Sequence, residues 1–402
     1  MKSSFWSAGH RPTLIAAFLY FDVAFMCWVL LGPLGPEIAR DLGLSPAEKG
    51  LMVAVPTLAG AVLRMVNGLF VDRIGPKRTG AINQLIVIFG LAAAWILGIH
   101  SFGATLLTGV ILGFAGASFA IALPLASRWY PPEHQGKALG IAGMGNSGTV
   151  FAALFAPTLA KLFGWNAVLG LAVIPLTIVF LAYMALAKDA PNPPAPKPIV
   201  AYLEPLKMVD AWWFMLFYGV TFGGFVGLSS SLTIYFTDQF ALTTVMAGYC
   251  TAACVFAGSL VRPLGGALAD RIGGIRALSI VYAVAAVALV GVSTGPANVF
   301  SALAFFVVAM LALGTGNGAV FQLVPQRFRA EIGVMTGLVG MAGGIGGFYL
   351  ASSLGLAKQI TGTYEPGFLI FAALAGLALI GLNFVKRKWR TTWGAAIQGV
   401  RI

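Results

Sequence analysis

Charge is scarce in this sequence. Charged residues make up 9% of 402 positions against 59% hydrophobic ones, and only 13 are acidic. A water-soluble globule needs a charged surface, so this scarcity excludes one and puts the chain in a bilayer. Cysteine is nearly absent as well. Cys27, Cys250 and Cys254 all lie in apolar stretches, which argues against a disulfide framework or a spaced metal site and leaves them as small buried hydrophobes. His10, His100 and His134 fall at span ends or in loops, so no transmembrane histidine offers a proton path. The apolar stretches hold no matched base, nucleophile or metal constellation, so neither an enzyme nor a cofactor is expected. No short apolar region with a cleavage site opens the chain. The first apolar run, from Thr13, continues through Leu34 and reads as a retained span.

What the sequence has in quantity is apolar length. Runs of about 20 to 25 such residues recur from Pro12 to Val385, which leaves room for about twelve spanning helices. The pattern predicts spans 1 to 12 over 12–36, 46–71, 78–99, 102–128, 136–160, 165–187, 210–237, 244–269, 275–294, 297–327, 332–357 and 364–385. The 51 glycines fit this setting, because small residues let helices approach closely in lipid. An even number of spans puts both termini on one side. Only Arg40, Lys49, Lys161 and Lys358 fall on the other side; apart from two arginines inside spans, every other Lys and Arg lies on the side of the termini. That bias predicts cytoplasmic termini in an inner membrane, and it accounts for the net charge of +12 by contact with anionic lipid, without nucleic acid. The proline-rich stretch between Lys188 and Asp210 reads as a stiff strap. It divides the chain into a six-helix bundle over 1–187, a cytoplasmic linker over 188–209, a second bundle over 210–385 and a basic cytoplasmic tail over 386–402.

The two halves are copies. At one constant offset, Gly50, Gly60, Arg64, Gly68, Asp72, Arg73, Gly75 and Arg78 fall on Gly248, Gly258, Arg262, Gly266, Asp270, Arg271, Gly273 and Arg276. Slightly different offsets lay Gly113 and Pro124 on Gly314 and Pro325, and Gly136, Gly140 and Gly143 on Gly333, Gly337 and Gly340. Parallel repeats of this kind mark a rocking transporter whose cargo sits near mid-membrane between the halves. The expected fold is an all-α membrane protein of twelve transmembrane helices in two pseudo-symmetric six-helix bundles.

The stretch Gly68-Leu69-Phe70-Val71-Asp72-Arg73-Ile74-Gly75-Pro76-Lys77-Arg78 resembles the signature of the major facilitator superfamily, and Gly266 to Arg276 repeats it. Asp72 at a helix end can bind arginines and a neighbouring helix N-terminus, so Asp72, Arg73, Asp270 and Arg271 are expected to act in gating.

The two basic residues deep inside spans are Arg64 and Arg262, one position seen twice. A buried charge costs at least about 2.5–3.5 kcal/mol unless it faces a wet cavity or a counter-ion. Asp22 is the one acid well within a span, and it cannot neutralise both arginines. The pair therefore implies a cavity that accepts an anion, and guanidinium forks suit a planar oxyanion. Span 5 carries Gly140 to Gly148, with Gly143, Gly145, Asn146 and Gly148, and span 11 carries Gly337 to Gly347, with Gly340, Gly343 and Gly344. Such glycine density suits close or sliding helices, and Asn146 offers an amide donor. Span 4 has Gly116-Ala117-Ser118-Phe119-Ala120, span 7 runs from Leu216 to Gly223, and span 10 runs from Gly314 to Phe321.

Together these stretches resemble the nitrate/nitrite porter family of the major facilitator superfamily, over essentially the whole chain. The resemblance implies nitrate or nitrite as cargo, held between Arg64 and Arg262, with Phe119, Tyr218 and Phe321 as ring partners and Asn146 nearby. Gly343 stands where Asn146 would repeat, so the cavity should be chemically asymmetric. Asp22 is the candidate for proton coupling, since a buried carboxylate can carry a proton; a capping role at the cytoplasmic end is the other reading. The chain is expected to act as a monomer in membrane lipid. The pattern fits nitrate or nitrite, and proton symport or anion exchange. Another small oxyanion such as formate would also use two arginines. An anion sensor would need an attached signalling domain.

Overall fold

The computed structural model describes residues 5–191, 200, 203–328 and 332–394. Twelve helices among them are long and apolar enough to cross a membrane. Spans 1 to 6 are Arg11–Trp28, Pro46–Ile74, Pro76–Leu97, Phe102–Ser127, Lys137–Phe163 and Trp165–Leu186. Spans 7 to 12 are Val209–Phe240, Thr244–Ile272, Gly274–Ser293, Val299–Arg327, Ile332–Thr361 and Glu365–Thr391. Local chemistry starts several of them. Ser45 and Glu48 form a capping box ahead of span 2, and Asn298 with Ser301 does the same ahead of span 10. Gly75 and Gly273 link spans 2 to 3 and 8 to 9 with φ of 86° and 95°, a region costly for other residues, so the signature loops need glycine there.

Several expected boundaries shift. The first helix ends at Trp28, and after a run of turns a separate short helix follows over Gly35–Leu42. Span 4 is broken between Gly116 and Phe119, and span 8 between Leu260 and Arg262, just ahead of Pro263. Span 5 tightens to a 3₁₀ turn over Met144–Ser147. Span 12 continues to Thr391, into the stretch expected to be tail. Residues 395–402 of the tail, and 192–199 and 201–202 of the expected linker, lie outside the described residues. So do Lys2, Lys197, Arg329 and Arg401, which entered the charge count.

Large apolar side chains cover the outer surface. Phe300 and Phe384 are 78% and 76% exposed, which is tolerable only against lipid. The two bundles meet along spans 2 and 11 and along spans 5 and 8. Away from the termini this seam is shut. A Cβ on Gly50 would stand 2.7 Å from Gly355 Cα, and one on Gly248 would stand 2.6 Å from the Ala153 carbonyl. Lys49 pairs with Asp238 across the halves at 3.0 Å, and the Tyr364 hydroxyl donates to the same carboxylate at 2.8 Å. Toward the termini the seam opens: at Gly68, Gly140, Gly143, Gly333 and Gly337 no atom of the described residues beyond the local helix backbone lies within 4 Å of where a Cβ would stand. The other two ion pairs among the described residues, Asp72–Arg128 at 2.7 Å and Asp210–Arg327 at 2.6 Å, each stay inside one bundle.

Candidate anion site

Arg64 is held by backbone. It is 1% exposed, with Nε donating to the Gly116 carbonyl at 3.1 Å and Nη1 to the Gly340 carbonyl at 2.5 Å. The break in span 4 makes the first bond available. The Ala120 amide turns to the Ala117 carbonyl at 3.0 Å, so the Gly116 oxygen is free for the arginine. The second bond crosses from one bundle to the other, because Gly340 lies in span 11. Nη2 has no partner.

Arg262 sits at the break of span 8 and is half-buried. Its Nη2 donates to the Tyr218 hydroxyl at 3.3 Å, and Nη1 has no partner among the described residues. Pro263 stands just past the break, where its missing N–H leaves the Ser259 carbonyl without a ladder partner; Pro56 and Pro325 sit in unbroken helices, so the proline favours this break and does not alone make it. The two arginines share a ring: the guanidinium carbons lie 5.2 Å (Arg64) and 5.8 Å (Arg262) from the Phe119 centroid. Neither is in any of the ion pairs formed among the described residues.

Aromatic rings pave the surroundings. Tyr218 stacks on Phe222 at 5.0 Å with 5° between planes, and Phe321 meets Tyr218 edge-on at 5.0 Å and Phe119 at 5.9 Å. The structure thus brings Phe119, Tyr218 and Phe321 together with both arginines. Two further rings belong to the set. Trp28 and Phe222 lie 5.1 and 5.0 Å from the Arg64 guanidinium carbon. Phe222 is one helical turn from Tyr218, a spacing visible in the sequence. Trp28 has a fainter signal: Gly60 and Gly116 leave the room that its indole fills.

The glycines do unequal work. A Cβ at Gly340 would stand 3.4 Å from Phe119, and one at Gly343 would stand 2.7 Å from Phe222, so both keep space beside the rings. Gly344 approaches Ala61 and the Thr57 carbonyl across the seam. Gly145 lies against Phe21, and Gly148 against the Asp22 backbone. Gly143 faces open space.

Asn146 is 1% exposed in the 3₁₀ turn of span 5, and its Oδ1 has no partner. Its backbone carbonyl accepts from Ser259 at 3.5 Å, which sets it across the seam one turn from Arg262. Asp22 receives a 2.6 Å hydrogen bond from Ser147, beside that turn. Ser118, Thr221 and Asn317, which stood in the sequence only as parts of the stretches of spans 4, 7 and 10 with no role of their own, also bury side-chain polar atoms without a partner among the described residues. Asp72 binds Arg128 of span 4, and Asp270 and Arg271 lie at the matching end of span 8.

Two helical bundles that meet around a buried and a half-buried arginine, shut at one end and open at the other, have the construction of an alternating-access membrane transporter. The sequence profile of the Major Facilitator Superfamily matches residues 15–351. The probable nitrate/nitrite transporter NarK2 of Mycobacterium tuberculosis is 34% identical over 92% of this chain and 95% of its own length. The nitrite extrusion protein of Bacillus subtilis is 31% identical over 91% of this chain and 93% of its own. Among solved structures, the human organic anion transporter MFSD10 superposes with a TM-score of 0.71 at 15% identity, over 93% of this chain and 99% of that one, which speaks to the fold alone. The chain belongs to the nitrate/nitrite porter family of the major facilitator superfamily. It is a multi-pass membrane transport protein, not an enzyme.

Proposed function

We propose that this chain moves nitrate and nitrite across the cytoplasmic membrane by alternating access, with the anion held between Arg64 and Arg262. One observation carries the reading: two repeat-related arginines lie over one phenylalanine ring, each with a guanidinium N–H left without a partner. A planar, delocalised anion takes those N–H groups along its edge and the rings of Phe119, Tyr218 and Phe321 on its faces. Asn146 donates from span 5. The names carried by the similar bacterial proteins support nitrate and nitrite as the cargo.

The moving units in this reading are residues 1–187 and 210–385, joined by 188–209 and followed by the basic tail 386–402. The bias of Lys and Arg puts both termini in the cytoplasm, against anionic lipid. The open end of the seam then faces inward. Anion binding neutralises part of the charge between the bundles, and closure follows when Gly340 and Gly344 of span 11 move with span 2. The Asp72 and Asp270 loops, with Arg73 and Arg271, steady that end as it closes. A single chain contains the whole site and acts as a monomer. Asp22 is the group through which protons couple to transport.

Labelled nitrate outside liposomes that hold the purified protein and are preloaded with nitrite tests the assignment. Rapid counterflow, with formate a weak competitor, is the expected result. Formate exchange without nitrate exchange would reassign the cargo. Nitrate binding without counterflow would make the protein a sensor.

A further inference from the structure

The two arginines are copies, but their supports are not. Gly116, whose carbonyl holds Arg64, falls on Asn317 at the offset that lays Gly113 on Gly314 and Pro124 on Pro325. Span 4 breaks after Gly116 and frees that carbonyl, whereas span 10 is one continuous helix over Val299–Arg327. A helix without a break keeps its carbonyls in its own ladder, so the backbone of residue 317 cannot do for Arg262 what Gly116 does for Arg64. The sequence places a side-chain amide there instead. Asn317 is 1% exposed, and among the described residues neither Nδ2 nor Oδ1 has a partner.

Its surroundings fit that substitution. Gly314 and Gly318, flanking it on span 10, press against the carbonyls of Gly258 and Arg262 on span 8. Phe321, one turn on, touches Tyr218 and Phe119. Asn317 shares this face of span 10 with Gly314 and Phe321, about one helical turn from each. Arg262 has one acceptor, the Tyr218 hydroxyl, and an unused Nη1. Leaving an amide buried with both ends unmet costs several kcal/mol in an apolar interior, so a group besides the described side chains, ordered water or the cargo, has to meet it.

We propose that Asn317 is a positioning residue for the anion: Oδ1 accepts from the Arg262 guanidinium and Nδ2 donates to an oxygen of the cargo as the bundles close. Gly116 holds Arg64 fixed, and Asn317 ties Arg262 to occupancy. The two halves of the clamp are then unequal, one preset and one completed by the anion.

This rests on the nitrate and nitrite reading, so the control is wild-type nitrate–nitrite counterflow in liposomes. Its absence counts against that reading, and only with it present do the variants bear on Asn317. Asn317→Ala, which favours the helix, should raise the nitrate KM by about tenfold to a hundredfold, the range for a hydrogen bond to a charged group, with the maximal rate changed less. Asn317→Ser, differing from it by one hydroxyl, should recover part of that loss. Asn317→Asp should abolish binding, because a carboxylate takes the Arg262 guanidinium for itself. Elution as a single species and wild-type helicity verify folding for each. A nitrate KM within twofold of wild type in folded Asn317→Ala, or nitrate binding retained in folded Asn317→Asp, would overturn the proposal. Equal KM values for the Ala and Ser variants would do the same.

Discussion

Replacing Arg64 by lysine keeps the charge and removes the geometry. The guanidinium spreads three nitrogens over three tasks: Nε on Gly116, Nη1 on Gly340 of the opposite bundle, and Nη2 free for cargo. A lysine ammonium is a single point. It can sit near one of those carbonyls or near the anion, but it cannot bridge all three. Each hydrogen bond to a charged group is worth about 1.5–3 kcal/mol, and losing two with partial relaxation leaves a net loss of about 2–3 kcal/mol. That corresponds to a roughly 30- to 160-fold weaker nitrate affinity. The assay is nitrate titration of purified Arg64→Lys against wild type, with counterflow KM measured in parallel. Arg262→Lys, which loses the bond to Tyr218 and its free Nη1, should fall in the same range. Affinities within threefold of wild type in both variants would refute the clamp.

Three further outcomes are expected. Phe119→Ala removes a ring from under both guanidiniums and should weaken nitrate binding by about threefold to thirtyfold, and Tyr218→Ala should do likewise, with expression intact; unchanged affinity and selectivity in both would remove the rings from the site. Asp22→Asn should end accumulation driven by a pH gradient while sparing nitrate–nitrite counterflow, which never needs the empty carrier to reorient; accumulation at the wild-type level would return Asp22 to a structural role. Gly50→Val puts a side chain where Gly355 Cα is 2.7 Å away, so by the roughly 1–3 kcal/mol of overpacking it should prop the shut end of the seam open and slow counterflow while nitrate binding persists; full-speed counterflow would show that this contact is no gate.

The arginines were legible in the sequence because a permanent charge in an apolar run is rare, and the repeat showed it twice. The rings were less so. Trp28 and Phe222 lie beside Arg64, but an aromatic residue in an apolar helix has the same local pattern beside a guanidinium as beside lipid. The helix breaks divide the same way. Pro263 signals the one at Val261, and Gly32-Pro33 and Gly35-Pro36 signal the early end of span 1, although apolar length masks both. Span 10 stays unbroken through Gly314, Gly316 and Gly318, so the glycine alone does not explain the break after Gly116. That break is made by tertiary packing, with Trp28 filling the space at Gly116 and Arg64 taking its carbonyl. Span 12 outruns its apolar stretch because Trp389 stacks on Phe214 at 4.8 Å and donates to Asp210 at 2.8 Å, so packing continues the helix while Lys386, Arg387 and Lys388 reach outward. Asn317 escaped notice for a different reason: its meaning lies in how the second repeat departs from the first, not in how it matches.

Whether one anion touches both arginines is tested directly by isotope-edited infrared spectroscopy of bound nitrate. Free nitrate has threefold symmetry and a degenerate N–O stretch; held by two guanidiniums on its edge, it loses that symmetry and the band splits. The expected result is a split band that shifts with nitrogen-15 label in the wild-type protein and collapses toward the solution band in both Arg64→Lys and Arg262→Lys. The same splitting in wild type and both variants would contradict it, because the anion would then be held somewhere other than between Arg64 and Arg262.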